Sequence, residues 1–388
     1  MDFALNDEQQ LFRDSARRFL QEQCHARVLR ELEKSPFGFS EKLWQGMVKQ
    51  GWTGIIVPER YGGSSLGYLE LGVLLEEIGS AAFDSPFFAN LIATLAMLVG
   101  GSAGQKEQFL PAVVDGTMIV SPAVEEPGVS YELRFVSTRA TRSGGGYRLS
   151  GRKMFVPYAT AASHLLVFAR TGGAAGDKDG CTLLLVERNS PGIALAPLAT
   201  IAPDRQFQVD FDDVVVPAEA VVGQAGAALP MLEDAYGKGT ALICAEMVGG
   251  AAHQLAVTAE YMKQRVQFDR PLGTFQAVQH HLADMFTLVQ GSRWTSYQAL
   301  DRLDRNMPAT REIAIAKAFT SDACQRVAAL AHQLHGGVGV DMENDLQFYF
   351  RRAKAMELKF GPSPVQLKRL GEQLEAGASA RSGSEDGF

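Results

Sequence analysis

The sequence predicts an α+β fold in three consecutive parts: a helical N-terminal domain (1–117), a middle β domain of barrel or sandwich form (118–226) and a C-terminal four-helix bundle (227–376). Three observations carry this. Apolar residues recur at three- and four-residue spacing through the first and last thirds, as on the buried stripe of a helix. Between about Met118 and Gly223 the pattern changes to short runs of β-branched and aromatic residues separated by Gly, Pro, Asp and Asn. The chain has 388 residues, 46% hydrophobic and 21% charged, enough for two or three hydrophobic cores and too apolar for general disorder.

In order along the chain, Asn6 followed by Gln9 is a helix start, because an Asn side chain caps free backbone N–H groups while the residue three on reaches back. Leu11, Phe12, Ala16, Phe19 and Leu20 then follow helical spacing. A Pro/Gly/Ser break at 35–40 precedes a second start near Ser40, with Leu43, Trp44 and Met47 on one face. PERYGG (58–63) reads as a turn or loop, and helices are expected at 66–78, 87–99 and 105–114. Strands are expected around 147–149, 165–169, 182–187 and 207–211, with Gly144, Gly145 and Gly146 marking a tight hairpin. Long helical patterns resume at Ala227, broken at 269–273, 306–308 and 335–339. The tail 377–388, GASARSGSEDGF, is small and polar and is expected to be disordered.

The bulk numbers exclude several classes. A net charge of -7 and the lack of a Lys/Arg-rich run argue against nucleic acid or an anionic membrane as partner. Cys24, Cys181, Cys244 and Cys324 are widely spaced and form no CxxC pair, so they read as reduced, buried thiols of a cytoplasmic protein. MDFALNDEQQ has neither the basic start nor the apolar core of a signal peptide. The apolar stretch 87–100 is too short to span a bilayer and reads as a buried helix. No metal is expected: His332 and His335 form an HxxH pair, with His280 and His281 upstream, but no Cys or carboxylate cluster completes a ligand set. Asp341, Glu343 and Asp345 read as a solvated loop, and Tyr131 and Arg134 as plain loop residues. There is no GxSxG elbow, no GxGxxG after a strand and no P-loop.

One carboxylate stands out. Glu246 lies in a run that is otherwise apolar or glycine, and its helical neighbours Leu242, Ile243, Gly249 and Gly250 include no cation. An unpaired carboxylate in such a place has a raised pKa and is poised as a general base. The same residue would equally serve structure by meeting an Arg or Lys from another element, or by lying at a wet subunit interface.

The motifs then point to one family. PERYGG, EEPG (125–128), LSGRKMF (149–155), RVQFDRPLGTFQAVQHHLADM (265–285), QLHGGVG (333–339) and RRAKAMELKFG (351–361), in this order and spacing, resemble the acyl-CoA dehydrogenases over roughly 3–371. The resemblance implies FAD between the β domain and the C-terminal helices, and homo- or hetero-oligomers, tetramers or dimers. It also implies an electron-transfer flavoprotein as acceptor and a place in lipid or steroid catabolism. A glutamate takes the α-proton of an acyl-CoA while the β-hydride passes to the flavin, giving the 2-enoyl-CoA. A thioester α-proton is weakly acidic, so the developing enolate must be stabilised and water excluded.

Against the family pattern, both usual positions of the base lack an acid: one is Phe360, the other Gly239. Gly239 and Glu246 are seven residues apart, near two helical turns, so Glu246 is expected to face the same cleft as the catalytic base. This is similar to sterol-side-chain-type members built from two different subunits. In the flavin-contacting loops, expected at Val124, Glu125, Phe155 and Pro157, the family threonines are replaced by Glu125 and Pro157, and a small-residue run by Val129, Ser130, Tyr131 and Glu132. An ionised Glu cannot donate a hydrogen bond, and Pro has neither hydroxyl nor N–H. Pro362 and Pro364 follow Gly361 where a further contact is usual.

The parts that the family offers to a neighbour's FAD are present: Arg265, Gln267 and Phe268, and Gln333, Gly336 and Gly337, with Asp269 in place of a usual glycine. Arg suits bidentate phosphate contact, and glycine lets backbone approach phosphate closely. The resemblance therefore implies an FAD-dependent acyl-CoA dehydrogenase. The alternatives are a non-catalytic or half-site subunit paired with a paralogous chain, or a related flavoenzyme acting on an acyl-carrier-protein thioester or a nitroalkane.

Overall fold

The computed structural model describes residues 5–128 and 131–385, with side chains through Glu375. Its helices are α1 (Asp7–Gln23), α2 (Ala26–Lys34), α3 (Glu41–Lys49), α4 (Tyr68–Ser80), α5 (Phe87–Gly100) and α6 (Ala103–Val114), and, after the β region, α7 (Leu229–Gln264), α8 (Gln276–Asp304), α9 (Thr310–His335), α10 (Leu346–Leu358) and α11 (Ser363–Glu385). The strands are β1 (Val120–Ala123), β2 (Arg139–Ser143), β3 (Gly146–Pro157), β4 (His164–Arg170), β5 (Cys181–Glu187), β6 (Ile193–Leu198), β7 (Gln206–Pro217) and β8 (Val221–Val222), with the short pair β9 (Val266–Gln267) and β10 (Arg270–Pro271).

The expected starts hold at atomic level. Asn6 and Gln9 form a reciprocal capping box, at 2.8 and 3.2 Å. Ser40 caps α3 by accepting from the Leu43 amide. PERYGG closes in a short 3₁₀ turn at Glu59–Tyr61, and Gly62 takes φ +86°, a conformation that favours glycine. Gly144 and Gly145 join β2 to β3 as an antiparallel hairpin. All four cysteines are free and buried. Helix α11 runs on past Gly377 as far as Glu385.

The structure divides into two compact units that are discontinuous in sequence. The first holds 1–26, 68–83 and 240–388; the second holds 27–67 and 84–239. A linear reading cannot show this, because α4 lies within the N-terminal segment yet groups with the C-terminal helices.

In the second unit one hydrogen-bonded sheet runs β6-β7-β3-β2-β4-β5-β8, with β1 parallel to β4. Leu165 to Ala169 on β4 and Leu183 and Leu184 on β5 are fully enclosed and make the core of this unit. Asn90 of α5 ties the helical part to the sheet by accepting from the Val120 amide at 2.9 Å. Trp44 ties α3 to the turn after α6 by donating to the Gly116 carbonyl at 2.9 Å. Arg170, buried at the end of β4, donates to the carbonyls of Arg134, Val136, Gly172, Asp177 and Asp179 and so binds two loops to one strand.

In the first unit α4 crosses α7 backbone to backbone. A Cβ at Gly79 would overlap the Glu246 carbonyl oxygen, and one at Gly249 would overlap the Glu76 carbonyl oxygen. Asp304, at the end of α8, caps α4 by accepting from the Tyr68 and Leu69 amides at 2.5 and 2.9 Å. Lys317 of α9 is wholly buried and donates to the Met356 and Glu357 carbonyls at the end of α10, at 2.9 and 2.8 Å. By length and composition α7 is apolar enough to cross a membrane, but 67% of that window is buried inside the protein, as in a core helix.

Candidate active site and flavin contacts

Glu246 is 5% exposed, and the cation absent from its own helix arrives from α10: Arg352 Nη2 donates to its Oε1 at 2.7 Å. Of the two readings left open for Glu246, this is the one in which it meets an Arg from another element. Burial pulls the Arg352 guanidinium down to about 9, which still leaves it cationic at neutral pH. Beside the pair, Gln254, Cys324, Tyr349 and Met356 line a small cavity of about 10 Å³, room for about one water. The Tyr349 hydroxyl is turned to the Ser80 carbonyl, at 2.8 Å. Gly239 is buried in α7.

Phe360 adopts φ +62°, in the left-handed region. Its carbonyl accepts from Gln366 Nε2 at 2.8 Å and Arg369 Nη1 at 3.4 Å, so the backbone of this loop is anchored independently of the ring.

In the other unit Val124, Glu125, Phe155 and Pro157 come together at one end of the sheet. Met154 donates to the Glu125 carbonyl at 2.9 Å, Lys153 Nζ donates to the Val124 carbonyl at 3.0 Å, and Ser121 donates to the Pro157 carbonyl. The β3–β7 register slips between Lys153 and Val156. That bulge carries Phe155, at φ +52°, to the surface.

Lys153 is fully buried and pairs with Glu126 at 2.7 Å. Glu126 accepts further from the Ser137 and Thr138 amides at 2.7 and 2.9 Å. Burial alone would raise its pKa, but Lys153 and these donors bring it down to about 2. Beside it, burial raises the Glu125 carboxyl above its ordinary range, with Lys153 opposing and Glu126 adding to the rise. Tyr236, near the start of α7, is raised well above its ordinary value by burial and by Glu125. Val129 and Ser130 lie outside the described residues.

The segments expected to reach a neighbour's cofactor are on the surface of the first unit. Arg265, Gln267 and Phe268 form the β9–β10 hairpin, whose tip residues Phe268 and Asp269 both have positive φ. Phe268 is 83% exposed and packs edge-on against Phe275, whose ring also carries the Arg270 guanidinium at 4.0 Å. Gln333, Gly336 and Gly337 follow at the exposed end of α9, and a Cβ at either glycine would meet nothing within 4 Å. His332 and His335 are used locally: their Nδ1 atoms bond the Ala328 and Ala331 carbonyls at 3.0 and 2.8 Å, and their rings lie against Phe350 and Tyr261.

These features suit a flavin dinucleotide. A ring with acceptor atoms needs donors, and the second unit offers, three residues after Pro157, the Thr160 hydroxyl, buried without a hydrogen-bond partner among the described residues. A pyrophosphate needs exposed cations and open backbone, and Arg265, Gly336 and Gly337 are all exposed on the first unit. Arg352, Lys153, Tyr236 and Lys317 were missed by sequence reasoning as functional neighbours. Two lie inside quoted motifs, but which partners they meet is decided by the fold.

Comparison with known proteins agrees. Models of the acyl-CoA dehydrogenase N-terminal, middle and C-terminal domains match residues 6–117, 121–214 and 232–375. A short-chain-specific acyl-CoA dehydrogenase from Megasphaera elsdenii is 31% identical, over 96% of this chain and all of its own length. The structure of butyryl-CoA dehydrogenase from the same organism superimposes with a TM-score of 0.89 at 30% identity, covering 96% of this chain and 100% of that one. A variant of the Tcur3481-Tcur3483 steroid ACAD gives a TM-score of 0.86 at 33% identity, covering 96% and 99%. The chain belongs to the acyl-CoA dehydrogenase family, whose cofactor is FAD and whose reaction is α,β-dehydrogenation of an acyl-CoA.

Proposed function

We propose that this chain works as one half of a heteromeric, cytoplasmic acyl-CoA dehydrogenase, helping to hold FAD while a paralogous subunit supplies the α-proton base. The observation that carries this reading is the Glu246–Arg352 pair. A general base must reach the proton it abstracts, yet Glu246 is enclosed with its counter-ion at 2.7 Å and about one water's room beside it. Phe360 and Gly239 stand at the other two positions where the family places the acid. The similarity to an ACAD named for two components supports the same reading.

FAD, when bound, supplies the hydride acceptor; this chain positions, insulates and donates hydrogen bonds. Val124, Glu125, Phe155 and Pro157 would contact the ring from the β unit. Arg265, Gln267, Phe268, Gln333, Gly336 and Gly337 would contact the pyrophosphate and adenine end of a neighbour's FAD. Electrons would leave to an electron-transfer flavoprotein.

The test is to purify the chain alone and with a paralogous subunit, record the flavin spectrum, and add acyl-CoA without oxygen. Bleaching is expected only in the mixture. Flavin held and bleached by the chain alone, with Glu246→Gln abolishing bleaching in a folded protein, would sink the half-site reading and restore Glu246 as the base.

A further inference from the structure

Three ionisable groups crowd the loop that follows β1: Glu125, Glu126 and Lys153. Lys153 lies near both carboxyls, and its hydrogen bond goes to Glu126. Lys153 Nζ donates to Glu126 at 2.7 Å and to the Val124 carbonyl at 3.0 Å. Glu126 is further occupied by Ser137 and Thr138. It is an ionised carboxylate with its acceptor capacity filled from one side of the loop.

Glu125 is left without a cation of its own. Its backbone is fixed, since its carbonyl accepts from Met154 and the adjacent Val124 carbonyl accepts from Lys153. Its half-buried side chain receives no hydrogen bond from any described residue. The charged or titratable groups around it are Glu126 from its own loop, Lys153 from β3 and Tyr236 from α7. A second negative charge next to Glu126, in a site partly shielded from water, is unfavourable, and the way out is to keep the proton. A carboxylic acid is a donor, whereas a carboxylate is an acceptor only.

We propose that Glu125 is a proton-carrying hydrogen-bond donor to an acceptor atom of the flavin ring, so that a carboxyl O–H in this chain does the work of the hydroxyl it replaces. This rests on the flavin contacts proposed above. The replacement of the family threonine by Glu125 then changes the donor rather than deleting it. It also makes cofactor retention sensitive to pH, because the donor exists only while the carboxyl keeps its proton.

The experiment measures FAD affinity by flavin fluorescence, from pH 5 to 9, on the complete assembly stripped of cofactor. Wild type, Glu125→Gln and Glu125→Thr are compared, each checked for folding by circular dichroism. The wild type is expected to lose affinity as pH rises through the carboxyl's pKa, by up to about tenfold per pH unit for one coupled proton. Gln and Thr, which donate at any pH, are expected to hold a constant affinity. If Gln fails the folding check, Thr alone carries the comparison. A wild-type affinity that is flat with pH, or a Thr variant with the wild-type slope, overturns the donor role while leaving the flavin site standing. No FAD bound by any assembly at any pH overturns the flavin reading and this inference together.

Discussion

Glu246 and Arg352 stand 106 positions apart in the chain and 2.7 Å apart in the fold, with both side chains almost wholly withdrawn from water. Removing one partner leaves the other as an uncompensated buried charge, which is far more costly than the pair is stabilising. Glu246→Gln is expected to lower stability by about 3–5 kcal/mol. The double variant Glu246→Met with Arg352→Met should recover most of that loss. Urea denaturation of wild type, Glu246→Met, Arg352→Met and the double variant closes the cycle, and strict additivity of the two single changes would refute the coupling.

The Lys153–Glu126 pair sets an acid limit on the β unit. The folded pKa of Glu126, about 2, lies below the ordinary 4.5, so its contribution is complete above about pH 4.5 and is lost as pH falls through 2. Urea midpoints for wild type should therefore decline over that window. Lys153→Met should be less stable at pH 7 by about 3 kcal/mol and should show a shallower decline.

Glycine at the α4–α7 crossing is a packing requirement, whereas Gly237 earlier on α7 is not. Gly249→Ala forces a methyl against the Glu76 carbonyl and should cost about 3 kcal/mol, the upper end of overpacking penalties. At Gly237 a Cβ meets nothing within 4 Å, and alanine there should stabilise by about 0.5–1 kcal/mol through helix propensity. Thermal midpoints moving in opposite directions are the expected result.

Asp304 caps a helix that precedes it by more than two hundred residues. Asp304→Ala removes both acceptors from the Tyr68 and Leu69 amides and should cost about 1–2 kcal/mol. Asp304→Asn keeps one acceptor oxygen and should lose less. Hydrogen exchange at the Tyr68 and Leu69 amides gives the local readout, with faster exchange expected in the alanine variant.

Local signals carried much of the fold. Asn6 with Gln9, Ser40 and the 144–146 glycines are read from neighbours within a few residues, and the backbone obeys them for the same reason. The site was less legible. Glu246 drew notice through its own helical face, but its partner comes from α10, and spacing along one helix says nothing about another. Glu125 was readable as a departure from the family pattern. That burial raises its carboxyl was not, because this depends on neighbours the fold supplies, with Lys153 hydrogen-bonded to Glu126 instead. The grouping of α4 with the C-terminal helices rests on Gly79 and Gly249, which in sequence look like weak points of two helices rather than their crossing.

The loop after α10 is held by main-chain anchors. Lys317 grips the Met356 and Glu357 carbonyls, and Gln366 and Arg369 hold the carbonyl of Phe360. These contacts all go to main-chain carbonyls, so they remain available whichever side chain position 360 carries. An acid introduced there would enter a loop already held at four points, two from α9 and two from α11.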